Sequence, residues 1–112
     1  MTITERQVGS VTVLDLEGRL ASDFTGRLKD KVASLLFQDR KQIIMNLGGL
    51  TYMDSAGLGE TVACFSTASR QGGQLTLVNV GQRIEDLLVL TRLLTVFDVK
   101  DTEEDALRAF GA

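Results

Sequence analysis

The strongest constraint on the fold of this 112-residue chain is an alternation between short apolar runs and segments with helical periodicity. Two runs, QIIMNL from Gln42 and QLTLVNV from Gln74, are mostly apolar, which is typical of strands that are covered on both faces. Amphipathic segments with a period near 3.6 residues follow Gly18, Asp54 and Gly81. Strands that alternate with helices predict an α/β fold with right-handed crossovers.

The first 18 residues depart from this alternation and predict a β-hairpin, because Gly9-Ser10 suits a type II′ turn. Side chains alternate between two faces of its second strand, one with Thr12, Leu14 and Leu16 and the other with Val11, Val13, Asp15 and Glu17. We therefore expect a single α/β domain over residues 1–112. Its sheet should be mixed and mostly parallel, with an N-terminal hairpin as an antiparallel edge and with alternating helices.

Apolar stripes mark the first two helices. The first has Ser22 or Asp23 as its expected N-cap, and its stripe is Phe24, Leu28, Val32, Leu35 and Leu36. The second follows Asp54 and stops at Gly72-Gly73, and its stripe is Leu58, Val62 and Phe65, with Ala68 at the edge. Phe65 should therefore point into the core.

The last third of the chain continues the pattern with a helix, a strand and a helix. The third helix follows Gly81, and its stripe is Ile84, Leu87, Leu88 and Thr91. The segment TVFDV should form a short last strand. Thr102 and Asp105 have capping-box spacing, and the acidic residues near them favour a helix start.

Composition excludes several classes of site. The formal net charge is −3 and the basic residues are scattered, whereas nucleic-acid binding needs a clustered basic surface. Cys64 is the only cysteine and histidine is absent, which excludes an intrachain disulfide, a thiolate metal cluster, histidine-ligated zinc and a Ser-His-Asp triad. Without a long apolar run or a leader pattern, we expect a cytoplasmic protein with no membrane insertion and no cofactor.

The stretch LGGLTYMDSAGLGETV, residues 47–62, is the best candidate for a functional site. It lies where a buried strand passes into a helix, which is where open α/β sheets usually bind ligands. Unpaired amide groups and the helix dipole favour an anion at such a place. Ser55 is then a helix cap, a nucleophile or an acceptor of phosphate.

A catalytic role for Ser55 has little support. A nucleophile elbow requires Gly-x-Ser-x-Gly and a histidine, but Met53 stands two residues before Ser55 and the chain has no histidine. No motif places a lysine beside Ser55, and the glycines lack the lysine and the spacing of a phosphate-binding loop. We therefore predict no catalytic residue and no metal ligand, and the helix cap remains the simplest alternative.

Three stretches, in this order and spacing, resemble the STAS domain of bacterial anti-sigma factor antagonists. They are VLDLEGRL before the first helix, IIMNLGGLTYMDSAGL in the middle and LLVLTRLLTVFDVKDTEEDAL towards the end. The resemblance covers nearly the whole chain and implies a STAS-like fold. In that family a partner kinase phosphorylates the serine of an Asp-Ser-x-Gly-Leu stretch at a helix start, so the resemblance implies that Ser55 is the acceptor.

The resemblance also implies a partner-binding surface, consisting of Ser22, Asp23, Asp54, Ser55, Ala56, Gly57, Leu58 and Gly59. Gly57 and Gly59 have no side chains, so we expect them to let a partner backbone come close. Two positions differ from the family pattern. Ala21 stands where family members often carry an aspartate, and Glu60 stands where an apolar residue is common, which should add a charge beside the partner surface.

The implied function is that of a regulatory binding protein. The unmodified chain would bind an anti-sigma factor of the serine kinase type and so release a sigma factor. Phosphorylation of Ser55 would end this binding, and a phosphatase would restore it. Two alternatives remain: a STAS scaffold or regulatory subunit of a stress-signalling assembly or lipid transport system, and a small enzyme with Ser55 as its nucleophile.

Overall fold

The computed structural model describes residues 1–22 and 26–111, which form one mixed five-stranded sheet with four helices. The elements are β1 (Thr2–Val8), β2 (Val11–Leu20), α1 (Arg27–Phe37), β3 (Gln42–Met53), α2 (Ser55–Arg70), β4 (Gln74–Val78), α3 (Gln82–Leu90), β5 (Asp98–Lys100) and α4 (Glu103–Ala109). The strand order is β1-β2-β3-β4-β5, with β1 antiparallel to β2 and the other neighbours parallel. The α/β fold with an N-terminal hairpin is confirmed.

Helices cover the two faces of the sheet unequally. The larger apolar cluster includes Leu14 and Leu16 of β2 and buried residues of α1, α2 and α3, whereas the smaller one joins Val11 and Val13 to Ala106 of α4. Strands β2 to β5 advance across the sheet in chain order, so crossovers of one hand place their helices on one side. The alternation predicted for β2 is confirmed. Among the described residues, no helix is both long and apolar enough to span a bilayer.

Helix α1 begins later than the sequence pattern indicates. Its N-cap is Gly26, which offers no side chain to the first helical turn. The prediction that Ser22 caps this helix is wrong, because α1 begins only at Arg27 and Gly26 holds the N-cap position. The amide of Ser22 donates to Asp54 at the start of α2. The other predicted cap, Asp23, lies outside the described residues, as does Phe24.

Strand β3 is longer than the apolar run that predicts it. It continues through Gly48-Gly49 as far as Met53 instead of stopping near Leu47. Two register shifts against β2 absorb the additional length, so that the last pair in this ladder is Leu20 with Met53. As a result, β2 and β3 end side by side immediately before Asp54.

The buried face of α2 differs from the predicted stripe. Its buried residues are Gly57, Leu58, Glu60, Thr61, Cys64 and Ala68. Val62 and Phe65 are only half-buried at the edge of the larger cluster. The ring of Phe65 meets that of Phe97 edge-to-face, with 5.4 Å between the ring centroids. Phe65 therefore contacts the core from its margin, because small side chains occupy the face of α2 that lies on the sheet.

Polar contacts fasten α4 to the edge of the sheet. The hydroxyl of Thr102 accepts a hydrogen bond from the amide of Asp105 at 3.1 Å, which confirms the predicted cap. Arg6 on β1 bonds both Asp15 on β2 and Glu103 in the first turn of α4. The Arg6 guanidinium lowers the pKa of Asp15, so this bridge stays ionised in mildly acidic solution.

Phe65→Ala should lower the free energy of unfolding by about 2–3 kcal/mol, less than the roughly 3–5 kcal/mol of a fully buried phenylalanine, because the ring is half-buried. Phe37→Ala is the matched control, since Phe37 is 91 % exposed. The control should change stability by less than about 0.5 kcal/mol. Urea titrations measure both variants, and equal midpoints would contradict the packing described for α2.

Candidate functional site at the start of helix α2

The candidate site lies at the carboxyl ends of β2 and β3, where α2 begins. Asp54 is the N-cap of this helix. Its Oδ1 accepts a hydrogen bond from the amide of Gly57 at 2.8 Å, and its Oδ2 accepts one from the amide of Ser22 at 3.1 Å. One carboxylate therefore caps α2 and also ties this helix to the segment that follows β2.

Ser55 is the first residue of α2, and its side chain is exposed. Within residues 1–22 and 26–111, its hydroxyl has no hydrogen-bond partner. The helix-cap interpretation of Ser55 is wrong, because Asp54 occupies the cap position and binds the first-turn amide. The Ser55 hydroxyl is thus available for modification without loss of the cap.

The carboxylate of Asp54 is held in its charged form. Hydrogen bonds from the amides of Gly57 and Ser22 lower the pKa of this group. The positive end of the helix dipole favours the same charge. Because Asp54 already takes the Gly57 amide, a second anion on Ser55 would find fewer free donors at this helix start than an uncapped helix offers.

The two glycines of the motif have different surroundings. A Cβ on Gly57 would lie 2.1 Å from the backbone oxygen of Leu20, whereas a Cβ on Gly59 would meet nothing within 4 Å. Gly57 is therefore needed for the close approach of α2 to β2 inside this chain. The expectation that a missing side chain lets a partner backbone come close therefore applies only to Gly59, which is exposed.

The other predicted partner-binding residues differ in exposure. Ser22 is exposed, Ala56 is half-buried, and Leu58 is 8 % exposed as part of the larger core cluster. The structure brings Ser22 and Asp54 into direct contact, while Asp23 lies outside the described residues. Gly57 and Leu58 thus lie on the buried side of the site, whereas Ser55 and Gly59 are exposed to solvent.

Glu60 is buried, which the sequence interpretation did not foresee. The residue is 6 % exposed, and its Oε1 accepts a hydrogen bond from the amide of Gly26. The prediction that Glu60 adds charge to the partner surface is therefore wrong. Helical spacing could have predicted this burial, because Glu60 stands three residues after Gly57 and four before Cys64, and both of these lie on the buried face of α2.

The lysines and Cys64 are the side chains that bear on a nucleophilic role for Ser55. Among the described residues, no lysine is hydrogen-bonded to Ser55; Lys41 bonds the Gln71 carbonyl and Lys100 pairs with Asp98. Burial and the nearby Glu60 raise the pKa of the Cys64 thiol to about 12, so this thiol stays protonated. Among the described residues, no three metal-binding side chains cluster together.

Comparison with known proteins identifies the family. The sequence profile of the STAS domain matches residues 2–106. The chain belongs to the STAS family. One STAS relative is the anti-sigma-B factor antagonist of Bacillus subtilis (strain 168), which is 35 % identical over 77 residues, or 69 % of this chain and 70 % of the relative. The resemblance to anti-sigma factor antagonists noted in the sequence is confirmed.

Solved STAS structures have the same architecture. The Thermotoga maritima protein TM1081 superposes with a TM-score of 0.90 at 24 % identity, covering 98 % of this chain and 95 % of that protein. The anti-sigma factor antagonist SpoIIAA in its unphosphorylated form gives 0.76 at 22 % identity, covering 99 % of both chains. The Bacillus cell fate determinant SpoIIAA in its phosphorylated form gives 0.75 at 22 % identity, covering 97 % of this chain and 99 % of that one.

Gly57→Ala should lower the free energy of unfolding by about 1–3 kcal/mol, because the added methyl group would overlap the Leu20 carbonyl and displace α2 from β2. Gly59→Ala is the matched control in the same helix, where the methyl group enters open space. It should be neutral or stabilising by up to about 1 kcal/mol. Thermal or urea unfolding distinguishes the variants, and equal losses in both would refute the close contact at Gly57.

The carboxyl group of Asp54 should titrate below the ordinary aspartate pKa of about 3.9. Because the folded-state pKa is lowered, the cap contributes to stability above about pH 4 and loses that contribution as the pH falls through the lowered pKa. An NMR titration of the Asp54 carboxyl carbon measures this. In Asp54→Asn, which keeps an acceptor without a titrating group, the Gly57 amide signal should not follow that transition. An ordinary or raised pKa for Asp54 would contradict the hydrogen-bonded cap.

Proposed function

We propose that this STAS protein is an anti-sigma factor antagonist whose binding to an anti-sigma factor of the serine kinase type is switched off by phosphorylation of Ser55. Binding of the unmodified chain would release a sigma factor in the cytoplasm, and a phosphatase would restore the binding form. The observation that carries the proposal is the exposed Ser55 hydroxyl beside an intact Asp54 cap. Relatives that are themselves anti-sigma factor antagonists support the class of partner.

Phosphate on Ser55 should change the surface of the protein more than its fold. It adds a charge of about −1.5 to −2 at neutral pH. Asp54 keeps the Gly57 amide, so the new charge would remain largely solvated and close to a second carboxylate. The phosphorylated form of SpoIIAA has the same fold as this chain, with a TM-score of 0.75 beside 0.76 for the unphosphorylated form, which supports the expectation that such a fold accommodates phosphate.

The proposed partner surface has little bulk around Ser55. Gly59 is exposed and Ala56 is half-buried, so a partner could approach the first turns of α2 closely. Asp54 and Ser22 form the adjoining rim, and Asp23 belongs to the proposed surface from its place in the sequence. A partner docked here would have to desolvate a phosphate next to Asp54, and both the desolvation and the like charge oppose binding.

Ser55→Ala should stay folded, resist phosphorylation and bind the anti-sigma factor persistently. Ser55→Asp should stay folded but bind about tenfold or more weakly, because a charge must be desolvated in the contact. Ser69→Asp is the matched control, since Ser69 is exposed near the other end of α2. A charge there is about 20 Å away, beyond the Debye length of about 8 Å, and should leave affinity nearly unchanged.

The measurement is calorimetric or surface-based binding to the serine kinase encoded nearest to this gene, with mass spectrometry to locate any phosphate. Equal affinities for Ser55→Ala and Ser55→Asp, or phosphate found only at other residues, would reject the switch. Co-purification with a membrane ATPase or a very large particle, without binding to such a kinase, would favour a scaffold or transport subunit. An acyl group left on Ser55 by an activated ester would favour an enzyme.

A further inference from the structure

Glu60 joins the helix that carries Ser55 to the start of α1. Its side chain is buried on α2, and its Oε1 accepts a hydrogen bond from the backbone amide of Gly26. Gly26 is the N-cap residue of α1. The contact links residues 34 positions apart in the chain, so it is tertiary and not part of either helix alone.

The N-cap residue of α1 cannot cap this helix with a side chain. Gly26 has φ 94°, a left-handed conformation that favours glycine, and it makes no side-chain cap hydrogen bond. The start of a helix favours a negative charge, which an aspartate at the cap position often supplies. Here the carboxylate comes from Glu60 on the neighbouring helix.

Two carboxylates, one on the N-cap residue of α2 and one within α2, therefore accept hydrogen bonds from backbone amides just after β2 and at the start of α1. Asp54 accepts from the amide of Ser22, where the chain leaves β2, and Glu60 accepts from the amide of Gly26, where α1 begins. Asp54 directly precedes Ser55 and Glu60 stands five residues after it. The two contacts thus hold the backbone of Ser22 and of Gly26 against the same helix that presents the proposed phosphorylation site.

The environment of the second carboxylate oxygen, Oε2, shows that a gain in fold stability is not enough to explain a glutamate at position 60. Oε2 is buried and has no hydrogen-bond partner among the described residues. A buried carboxylate oxygen without a partner is unfavourable, and a well-packed apolar residue at such a place is often neutral or stabilising. The presence of a glutamate here is explained if the placement of α1 relative to α2 matters for binding of the partner.

We propose that Glu60 is a positioning residue for the partner surface. By bonding the amide at the start of α1 from α2, it sets where α1 begins relative to Ser55, so that a partner meets the starts of the two helices as one preorganised surface. Preorganisation raises affinity because fewer groups must be ordered on binding. This inference rests on the proposed function, since the benefit of the contact is realised when the partner binds.

Two substitutions separate the hydrogen bond from the charge. Glu60→Leu removes the acceptor and keeps an apolar side chain of fair size, whereas Glu60→Gln removes the charge and keeps an oxygen that accepts from Gly26. Hydrogen exchange of the Gly26 amide, measured by NMR on the isolated chain, should accelerate about tenfold or more in Glu60→Leu and about threefold or less in Glu60→Gln. The urea midpoint of Glu60→Leu should be unchanged or higher.

Binding to the same serine kinase provides the second measurement. Glu60→Leu should weaken binding about tenfold, while Glu60→Gln should stay within about threefold of the wild type. Glu85→Gln, which removes a charge from the exposed first turn of α3, is the control and should change neither exchange at Gly26 nor affinity. Weaker binding in a variant of undiminished stability is the pattern that a merely structural role would not produce.

Unchanged exchange at Gly26 in Glu60→Leu would overturn the proposal, and so would faster exchange with wild-type affinity. A fall in the urea midpoint that tracks the loss of binding in both Glu60 variants would also overturn it, since Glu60 would then act through stability. Absence of binding by the wild-type chain would reject the proposed function and the partner role of Glu60. The exchange measurement on the isolated chain would still decide whether Glu60 positions α1.

Discussion

The carboxylate of Asp54 is the interaction on which the candidate site depends. It accepts one hydrogen bond from the first turn of α2 and another from the amide of Ser22, so a single group sets both the start of the helix and its place against β2. Because Asp54 performs the capping, Ser55 is left with an exposed hydroxyl that has no structural task among the described residues. The proposed phosphate on Ser55 would therefore not remove an interaction that holds the fold.

The first turns of α2 divide structural and surface roles among neighbouring residues, because each step along a helix turns the side chain by about 100°. Gly57 faces β2 and permits a contact that any larger residue would obstruct. Gly59 faces solvent, and Glu60 turns inward to the start of α1. The proposed phosphate acceptor, Ser55, is thereby placed on a helix that is anchored on two sides. That arrangement would suit the proposed switch, since phosphate on Ser55 would change the charge while the helix stayed in place.

Periodicity predicted the larger part of the fold correctly. The alternation of side chains in β2, the buried stripe of α1 from Leu28 onwards and the Thr102 cap of α4 all depend on residues close together in sequence. The errors occurred where packing against distant segments decides the structure. Helix α1 begins only at Arg27, so Ser22 lies outside its start and its amide bonds Asp54. The buried face of α2 includes Gly57, Cys64 and Ala68 but not Phe65.

By itself, the sequence determined the α/β class, the family resemblance and the position of Ser55 at a helix start, since these follow from local periodicity and a short motif. Only the tertiary structure decided that Asp54 is the cap in use, that Gly57 serves the contact with Leu20, and that Glu60 is buried against Gly26. The physical reason is separation along the chain. The contacts of Asp54 with Ser22 and of Glu60 with Gly26 span 32 and 34 residues, so they exist only after the sheet has brought β2 and β3 side by side.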